Sequence, residues 1–406
     1  MKHVHPLLLA ASTLALFISA CSQPADVQAP SLEPQFGTVD DDIGVDVAVP
    51  SVNSVYVLSY QSVPRCDDSA PQKVMLHRYD SQGTLTLTKE VTTQLYDYDC
   101  TDLRARILKA DAQGNTYALV SRQGTSGDVR NYIAYDLHKF DAAGKLLKTT
   151  DVGRNYWSFG EPDANHEDAI DMAVDGGGNI YIAYEAGFHD FDTDSTTRAN
   201  LVVKYTTNGT KLWQHLSTVG TPYGVTVSGS GSVYVVGTKG LARYTNDGKL
   251  TWSRAADNSK GHLANAGDVV ISGSNVYTRS VKAIRKYDGS GRQLWLKTQG
   301  GLNTIVVQDM TGDANGNLSL SGKYQASSGN FNAFARKLNS SGSVLWAKTY
   351  GTPKYDDARG VASLGSAVYT TGETQGSLAH PNRGGYQNRD GYVRKLSSSG
   401  NAIWTR

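Results

Sequence analysis

Residues 340–363 read "SSGSVLWAKTYGTPKYDDARGVAS" and hold, in one continuous run, two fragments that other parts of the chain keep apart. The closing stretch "SSSGNAIWTR" (397–406) matches the first half and stops just after a tryptophan. The second half reappears near the start as "QFGT" (35–38), followed by "VDDDIGVDVAV" (39–49). A repeating unit has been divided between its Trp and its Gly-Thr, with the halves at opposite ends. Such a division describes a closed ring in which residues near Phe36 lie beside Arg406.

Working outward from that stretch, two patterns alternate along the chain. The first is an apolar alternating run, a Gly-containing turn and a second such run, as in "ILKADAQGNTYALVSR", "IDMAVDGGGNIYIAY" and "GVTVSGSGSVYVVG"; it occurs seven times. The second is a hairpin around a polar Gly turn, as in "LVVKYTTNGTKLWQHL" and "KAIRKYDGSGRQLWLKT"; it also occurs seven times, strictly interleaved with the first. Period-two alternation with Asn-Asp-Gly or Asp-Ala-Ala-Gly turns specifies short antiparallel strands. Five of the six tryptophans stand four residues after a turn glycine: Gly209/Trp213, Gly248/Trp252, Gly291/Trp295, Gly342/Trp346 and Gly400/Trp404. Each indole offers a flat surface to pack between neighbouring sheets. Leu87 and Lys148 take that place in the first two hairpins, so those units are expected to pack less uniformly. Two hairpins per repeat give four antiparallel strands, and seven repeats give an all-β, seven-bladed β-propeller. An open solenoid would need polar capping repeats at its ends, and both terminal units look like interior ones.

The repeated "DAxGNxYxxG…KxxxxGxxLW" texture resembles the bacterial β-propeller repeat family found in exported proteins, over about residues 35–406. It is more distantly similar to the Trp-marked propellers of quinone enzymes and of outer-membrane assembly lipoproteins. The resemblance implies a cell-envelope or secreted setting and no single activity, and it carries no catalytic residues onto this chain. Quinone enzymes of that type use a vicinal Cys pair and acidic calcium ligands, and this sequence has no adjacent cysteines.

Export is read independently of the repeats. "MKHVHPLLLAASTLALFISAC" has a basic start, a short apolar run and small residues before Cys21, the arrangement a lipoprotein signal peptidase requires. Residues 1–20 are therefore expected to be a signal peptide, Cys21 the lipidated residue, 21–35 a flexible tether and 36–406 the propeller. The apolar run is too short for a comfortable transmembrane helix, so membrane attachment would be through acyl chains alone. The expected location is the bacterial cell envelope, at the outer membrane if the cell has one. Without residues 1–20 the chain carries 38 basic and 38 acidic residues, and this neutrality without a basic block argues against nucleic acid as a partner. In an oxidising compartment the remaining pair, Cys66 and Cys100, is expected to form a disulfide. Both fall in connections on the same face of the ring.

Tight turns belong to one face of such a ring and the long connections to the other, concentrated around blades one to three and seven. Loops lengthened on one face of a rigid scaffold are where binding resides. The candidate binding residues there are Tyr156, Trp157, Phe159, His166, Phe191, His380, Arg383 and Tyr386. Aromatic side chains among polar ones suit a protein interface or a sugar polymer, and they equally suit loops anchored to a scaffold. "HDFDTD" places Asp190, Asp192 and Asp194 at alternating positions that could converge on calcium. The EF-hand pattern is absent, and a solvated acidic loop is the plainer reading. No cofactor is otherwise indicated. The "DAQGN", "DGGGN" and "DANGN" runs read as turn formers. There is no Gly-x-Ser-x-Gly elbow, no His-Glu-x-x-His and no phosphate-cradling loop.

The function this supports is a non-catalytic envelope module that binds an envelope protein or a surface polymer. One alternative is an enzyme that cleaves a carbohydrate polymer or oxidises a sugar, with His166, Glu167 and Asp168 as its candidate acid–base group. A second is a constitutive structural subunit of an envelope assembly.

Overall fold

The computed structural model describes residues 41–62, 72–94, 103–126, 130–158, 166–190, 195–198, 200–255, 266–280, 283–298, 305–326, 329–378, 381–383 and 389–406. Every regular element among them is a strand, and each blade runs from the axis outward in chain order. Blade 1 comprises β1 (Asp41–Ser51), β2 (Ser54–Ser62), β3 (Gln72–Tyr79) and β4 (Leu85–Gln94). Blade 2 comprises β5 (Leu103–Ala110), β6 (Thr116–Ser126), β7 (Arg130–Phe140) and β8 (Leu146–Ser158). Blade 3 has β9 (His166–Val174), β10 (Ile180–Asp190), β12 (Leu201–Tyr205) and β13 (Lys211–Leu216), with an extra strand β11 (Ser195–Arg198). Blade 4 is β14 (Pro222–Val227), β15 (Val233–Gly237), β16 (Gly240–Tyr244) and β17 (Leu250–Ala255). Blade 5 is β18 (Ala266–Ser272), β19 (Asn275–Ser280), β20 (Ala283–Tyr287) and β21 (Gln293–Thr298). Blade 6 is β22 (Ile305–Gly312), β23 (Leu318–Gln325), β24 (Phe331–Leu338) and β25 (Val344–Tyr350). Blade 7 is β26 (Asp356–Leu364), β27 (Ala367–Thr374), β28 (Asp390–Leu396) and β29 (Ala402–Thr405). The chain is a seven-bladed β-propeller of four antiparallel strands per blade.

The apolar core is divided among the interfaces between blades. Tyr56, Leu58 and Leu76 of blade 1 pack on Leu108, Ala118 and Phe140 of blade 2, and comparable clusters recur around the ring. The cluster that closes it joins Val47, Val55 and Tyr79 to Tyr369, Val393 and Trp404 of the last blade. Backbone bonding seals the same junction, with Asp42 N donating to Arg389 O at 2.9 Å. Phe36, expected beside Arg406, lies outside the described residues.

The repeated tryptophans have a specific job. Trp404 packs against Tyr369 of its own blade, with ring centroids 6.2 Å apart and planes tilted by 60°, and donates Nε1–H to Ser81 O in the outer turn of blade 1 at 3.1 Å. Its ring lies over Gly83 of that turn, where φ is +81° and an added Cβ would sit 2.8 Å from the indole. Only glycine meets both demands at low cost. Trp213, Trp252 and Trp295 likewise donate to Asn246 O, Gly289 O and Ser340 O of the following blades. A cation on the third strand joins each seal. In six blades it lies 5.1–5.9 Å from the Tyr centroid of its own second strand, as Lys204 does over Tyr181 and Lys395 over Tyr369. Lys395 Nζ also donates to Ser81 O, at 3.1 Å. In blade 6 Ser319 takes the Tyr register, and Lys337 turns to Asp313 at 3.1 Å.

The first two units depart from the Trp pattern as expected, and they reach the same end with other groups. Lys148 Nζ donates to Asn208 O at 2.6 Å, replacing an indole. Leu87 covers Gly144 while Lys89 Nζ donates to Gly144 O at 3.3 Å. The "DAQGN", "DGGGN" and "DANGN" runs are turns. Asp111 Oδ1 accepts from Gln113 N and Asn115 N at 3.0 and 2.9 Å, and Asp175 and Asp313 repeat the arrangement.

Candidate functional site

Two regions of the long-connection face carry the features a site needs. The first is a set of β-ribbons rising from blades 2 and 3. Most strands of blades 4 and 5 span five or six residues; β6 and β7 span 11 each, β8 13 and β10 11. Blade 2 continues its pairing through Ser126↔Arg130 and Arg130↔Ser158. Asn155 of β8 then pairs with His166 of β9, so blades 2 and 3 form one continuous sheet.

This placement corrects part of the sequence reading. Tyr156 and Trp157 are strand residues opposite Tyr132 and Asn131, not members of an irregular connection. "EAGFHDFDTDSTTRAN" is largely a ribbon, with Gly187↔Arg198, Phe188↔Thr197, His189↔Thr196 and Asp190↔Ser195 in register. Gly and Asp richness signals a turn, but cross-strand pairing overrides composition. Asp190 thus ends a strand. His166, Glu167 and Asp168 begin the axial strand of blade 3 opposite Gly187, Ala186 and Glu185. Arg383 is exposed, and its backbone N donates to the buried Asp390 Oδ2 at 2.9 Å. Cys21, Cys66, Cys100, Phe159, Phe191, Asp192, Asp194, His380 and Tyr386 lie outside the described residues.

The second region is the axial channel, a cavity of about 390 Å³ bounded by the innermost strands. Each axial strand carries a bulge, and the residue after it forms a ring around the axis: Asp46, Ile107, Asp171, Gly224, Asp268, Asp309 and Gly360. Three of the aspartates link blades. Asp46 accepts from Val47 N and from Leu108 N of blade 2, both at 2.8 Å. Asp171 takes Met172 N and Val225 N of blade 4 at 2.8 Å. Asp309 takes Met310 N and Val361 N of blade 7 at 2.7 Å. Gly360 is required because a Cβ would sit 2.9 Å from the Cα of Asp46.

Lys109 stands among these carboxylates, 3.6 Å from Asp46 Oδ2. Burial would depress its ammonium, but Asp46, Asp171, Asp309 and Asp268 outweigh it and hold the group above its ordinary value. Burial pushes Asp171 and Asp268 up to about 6 and Asp309 to about 7, the last aided by Asp46 and Asp268. Among the described residues no three His, Cys, Asp or Glu side chains are grouped to hold a metal ion.

At the long-connection end of this channel, blades 6, 7, 1 and 2 bring together a charged and phenolic mouth. Glu373 is fully buried and receives Arg359 Nη2 at 2.6 Å and Arg389 Nη1 at 3.1 Å. Asp357, also fully buried, accepts from Tyr355 OH at 3.1 Å and Gln308 Nε2 at 3.2 Å, with Lys323 Nζ at 3.5 Å. Burial raises the Asp357 carboxyl against the pull of Lys323 and Arg359. Burial also raises the Tyr60 phenol, while Arg359, Arg104 and Arg389 act to lower it. Buried carboxylates beneath partly open cations make a preorganised recognition surface.

Sequence reasoning missed both the ring and the mouth. The available signal was an Asp recurring at one register of the first pattern, in "VDVAV", "IDMAV", "GDVVIS" and "QDMTG".

No family model and no curated protein matches the sequence. Similar solved structures are propellers or contain a comparable region. Puromycin hydrolase, as an S511A mutant complexed with PGG, has a TM-score of 0.51 at 12% identity over 88% of this chain and 52% of that one. The present chain therefore spans about half of that protein. The WD40 β-propeller domain of Doa1 has a TM-score of 0.48 at 12% identity, covering 83% and 91% of the two chains. AztD of Citrobacter koseri has a TM-score of 0.45 at 12% identity, covering 87% and 94%.

Proposed function

We propose that this protein is a non-catalytic, lipid-anchored envelope module whose long-connection face binds an envelope protein or a surface polymer. The observation that carries the reading is the extension of β6, β7, β8 and β10 beyond the blade length, as paired ribbons on one face. Paired strands present side chains at fixed spacing, so little ordering entropy is lost on docking. Acylated Cys21 would hold one end at the membrane while the ring faces its partner.

A site-specific photo-crosslinker in intact envelopes tests this. Placed at Asp190, at the end of β10, it should capture a discrete species; placed at Gln113, on the tight-turn face, it should not. Trp157→Ala should weaken capture at Asp190 while leaving the protein folded. Equal capture from both faces, or capture indifferent to Trp157, would reject the binding-face reading.

A further inference from the structure

The mouth of the axial channel contains two guanidinium groups at a position where the repeat does not call for a cation. Arg106 of β5 and Arg359 of β26 occupy the bulge position of their axial strands, and both line the same cavity. At that position the other blades carry Val45, Ile170, Tyr223, Gly267 and Gln308, so a cation there is not a requirement of the ring.

Both groups are held in place by one side and left open on the other. Arg359 uses Nε and Nη2 on Glu373 Oε1, at 3.1 and 2.6 Å. Arg106 uses Nε on Ser121 Oγ at 2.9 Å. Nη1 of Arg359 and both terminal nitrogens of Arg106 have no partner among the described residues. A guanidinium whose inner edge is pinned and whose outer edge is free offers parallel N–H donors in fixed geometry.

The carboxylates of the cavity are differently disposed. Both oxygens of Asp46, Asp171 and Asp309 already accept backbone N–H groups. Asp357 Oδ1 has no partner among the described residues but is buried, so the spare hydrogen-bonding capacity that Arg106 and Arg359 turn to the cavity is that of a donor, and its complement is an acceptor bearing negative charge.

We propose that the channel mouth binds an oxyanion, gripped between Arg106 and Arg359. The ring of four aspartates beneath them sets the depth. An anion descending further would meet Asp46, Asp171, Asp268 and Asp309, so the bound group stops at the arginines and the rest of its ligand extends outward. The ligand class is a molecule ending in a carboxylate, phosphate or sulfate, presented from the long-connection side. This goes beyond docking on the ribbons and holds whether or not a macromolecule binds there.

Isothermal titration of the purified full-length protein at low salt tests it, with inorganic phosphate, inorganic sulfate and glucuronate as separate probes. The expected result is saturable one-to-one binding of at least one of them, which also distinguishes a tetrahedral anion from a carboxylate. Arg106→Met and Arg359→Met should each weaken it about tenfold or more. Lys249→Met, on the tight-turn face, should leave it unchanged. Arg359→Met leaves buried Glu373 with one cation fewer and could unfold the blade. Arg359→Lys keeps a charge beside Glu373 but loses the forked donor, and it should fold and still lose affinity. The proposal is overturned if none of the three anions saturates. It is equally overturned if binding survives the Arg106→Met, Arg359→Lys double variant, or if Arg106→Met binds like the wild type.

Discussion

Trp346 and Trp404 occupy the same repeated position and are equally buried, at 8% exposure each, yet their ring nitrogens differ. Trp404 Nε1 donates to Ser81 O, whereas Trp346 Nε1 is buried with no partner among the described residues. A phenylalanine removes the donor from both and little of the ring area. At Trp404 it removes a hydrogen bond worth about 1 kcal/mol, with Lys395 still serving the Ser81 carbonyl. At Trp346 it removes an unsatisfied N–H, and that relief offsets the smaller ring. Urea unfolding should therefore show Trp404→Phe less stable than Trp346→Phe by about 1 kcal/mol. Equal losses would mean that the indoles act through shape alone. Two buried histidines on third strands pose a related contrast. His77 Nε2 lies 3.0 Å from Ser59 Oγ, while His138 Nε2 has no partner among the described residues, because Val120 stands at the register of Ser59.

At the scale of elements, the ribbons are additions to a blade, and they should be separable from it. β11 pairs only with the outer part of β10, beyond the segment that pairs with β12. Replacing residues 187–198 by an Asn-Gly turn should leave the melting temperature within about 3 °C of wild type, since β10 pairs with the blade's third strand only over Ile180–Tyr184. With the crosslinker moved to Ser126, at the end of β6 on the neighbouring ribbon, the same replacement should abolish capture; a collapse in melting temperature would show instead that the ribbon is structural. What the sequence disclosed at this scale follows from the range of each interaction. The hairpins, the turn glycines and the Trp positions are signals contained within about 20 residues, and blade count and order were legible from them. The aspartate ring was not, because Asp46, Asp171 and Asp309 bond to residues 62, 54 and 52 positions away. Within its own strand each looks like an ordinary polar residue in an alternating run. Arg359 and Glu373 are only 14 apart, on the adjacent strands β26 and β27, and were missed for a different reason: the bulge at Arg359 sets the register that joins them, and composition does not reveal it. The ribbon of blade 3 was misread as a loop because Gly187 and the Asp-rich composition carry turn chemistry, which the hairpin pairing of β10 with β11 overrides.

The whole molecule faces a parity problem. An aspartate that accepts N–H groups from its own strand and from the next blade works best when that next blade lacks an aspartate of its own. Blades 1 and 2, 3 and 4, and 6 and 7 form such pairs: Asp46 with Ile107, Asp171 with Gly224, and Asp309 with Gly360. Seven is odd, so one blade is left over, and it is blade 5. Asp268 faces a blade whose Met310 N is already taken by Asp309. The fault is met by Arg279, which stands where blades 1 and 2 carry Leu58 and Leu119. Its Nη1 and Nη2 donate to Val307 O and Gln308 O at 2.8 and 2.9 Å, and its charge acts to lower the Asp268 carboxyl that burial raises. Arg279→Leu should destabilise the ring by about 2–4 kcal/mol at pH 8, where Asp268 is ionised beside Asp309. The penalty should shrink at pH 5. Asp171, Asp268 and Asp309 have folded-state values raised to about 6, 6 and 7, against about 4 when unfolded. Their contribution is fully present below that unfolded value, declines progressively as pH rises above it, and is gone once pH has passed the folded values of 6 to 7. His77 runs the other way, since burial holds it at about 4 and its contribution falls away as pH drops from the ordinary histidine value toward 4. Urea midpoints should accordingly rise as pH falls from 8 toward 5, and below about pH 6.5 His77 should cancel part of the gain from the three aspartates without reversing it. Arg279→Leu should steepen the rise, and adding Asp268→Asn should flatten it again. A penalty for Arg279→Leu that is the same at pH 5 and pH 8 would place that arginine's role in packing and leave the odd blade without an electrostatic fault to repair.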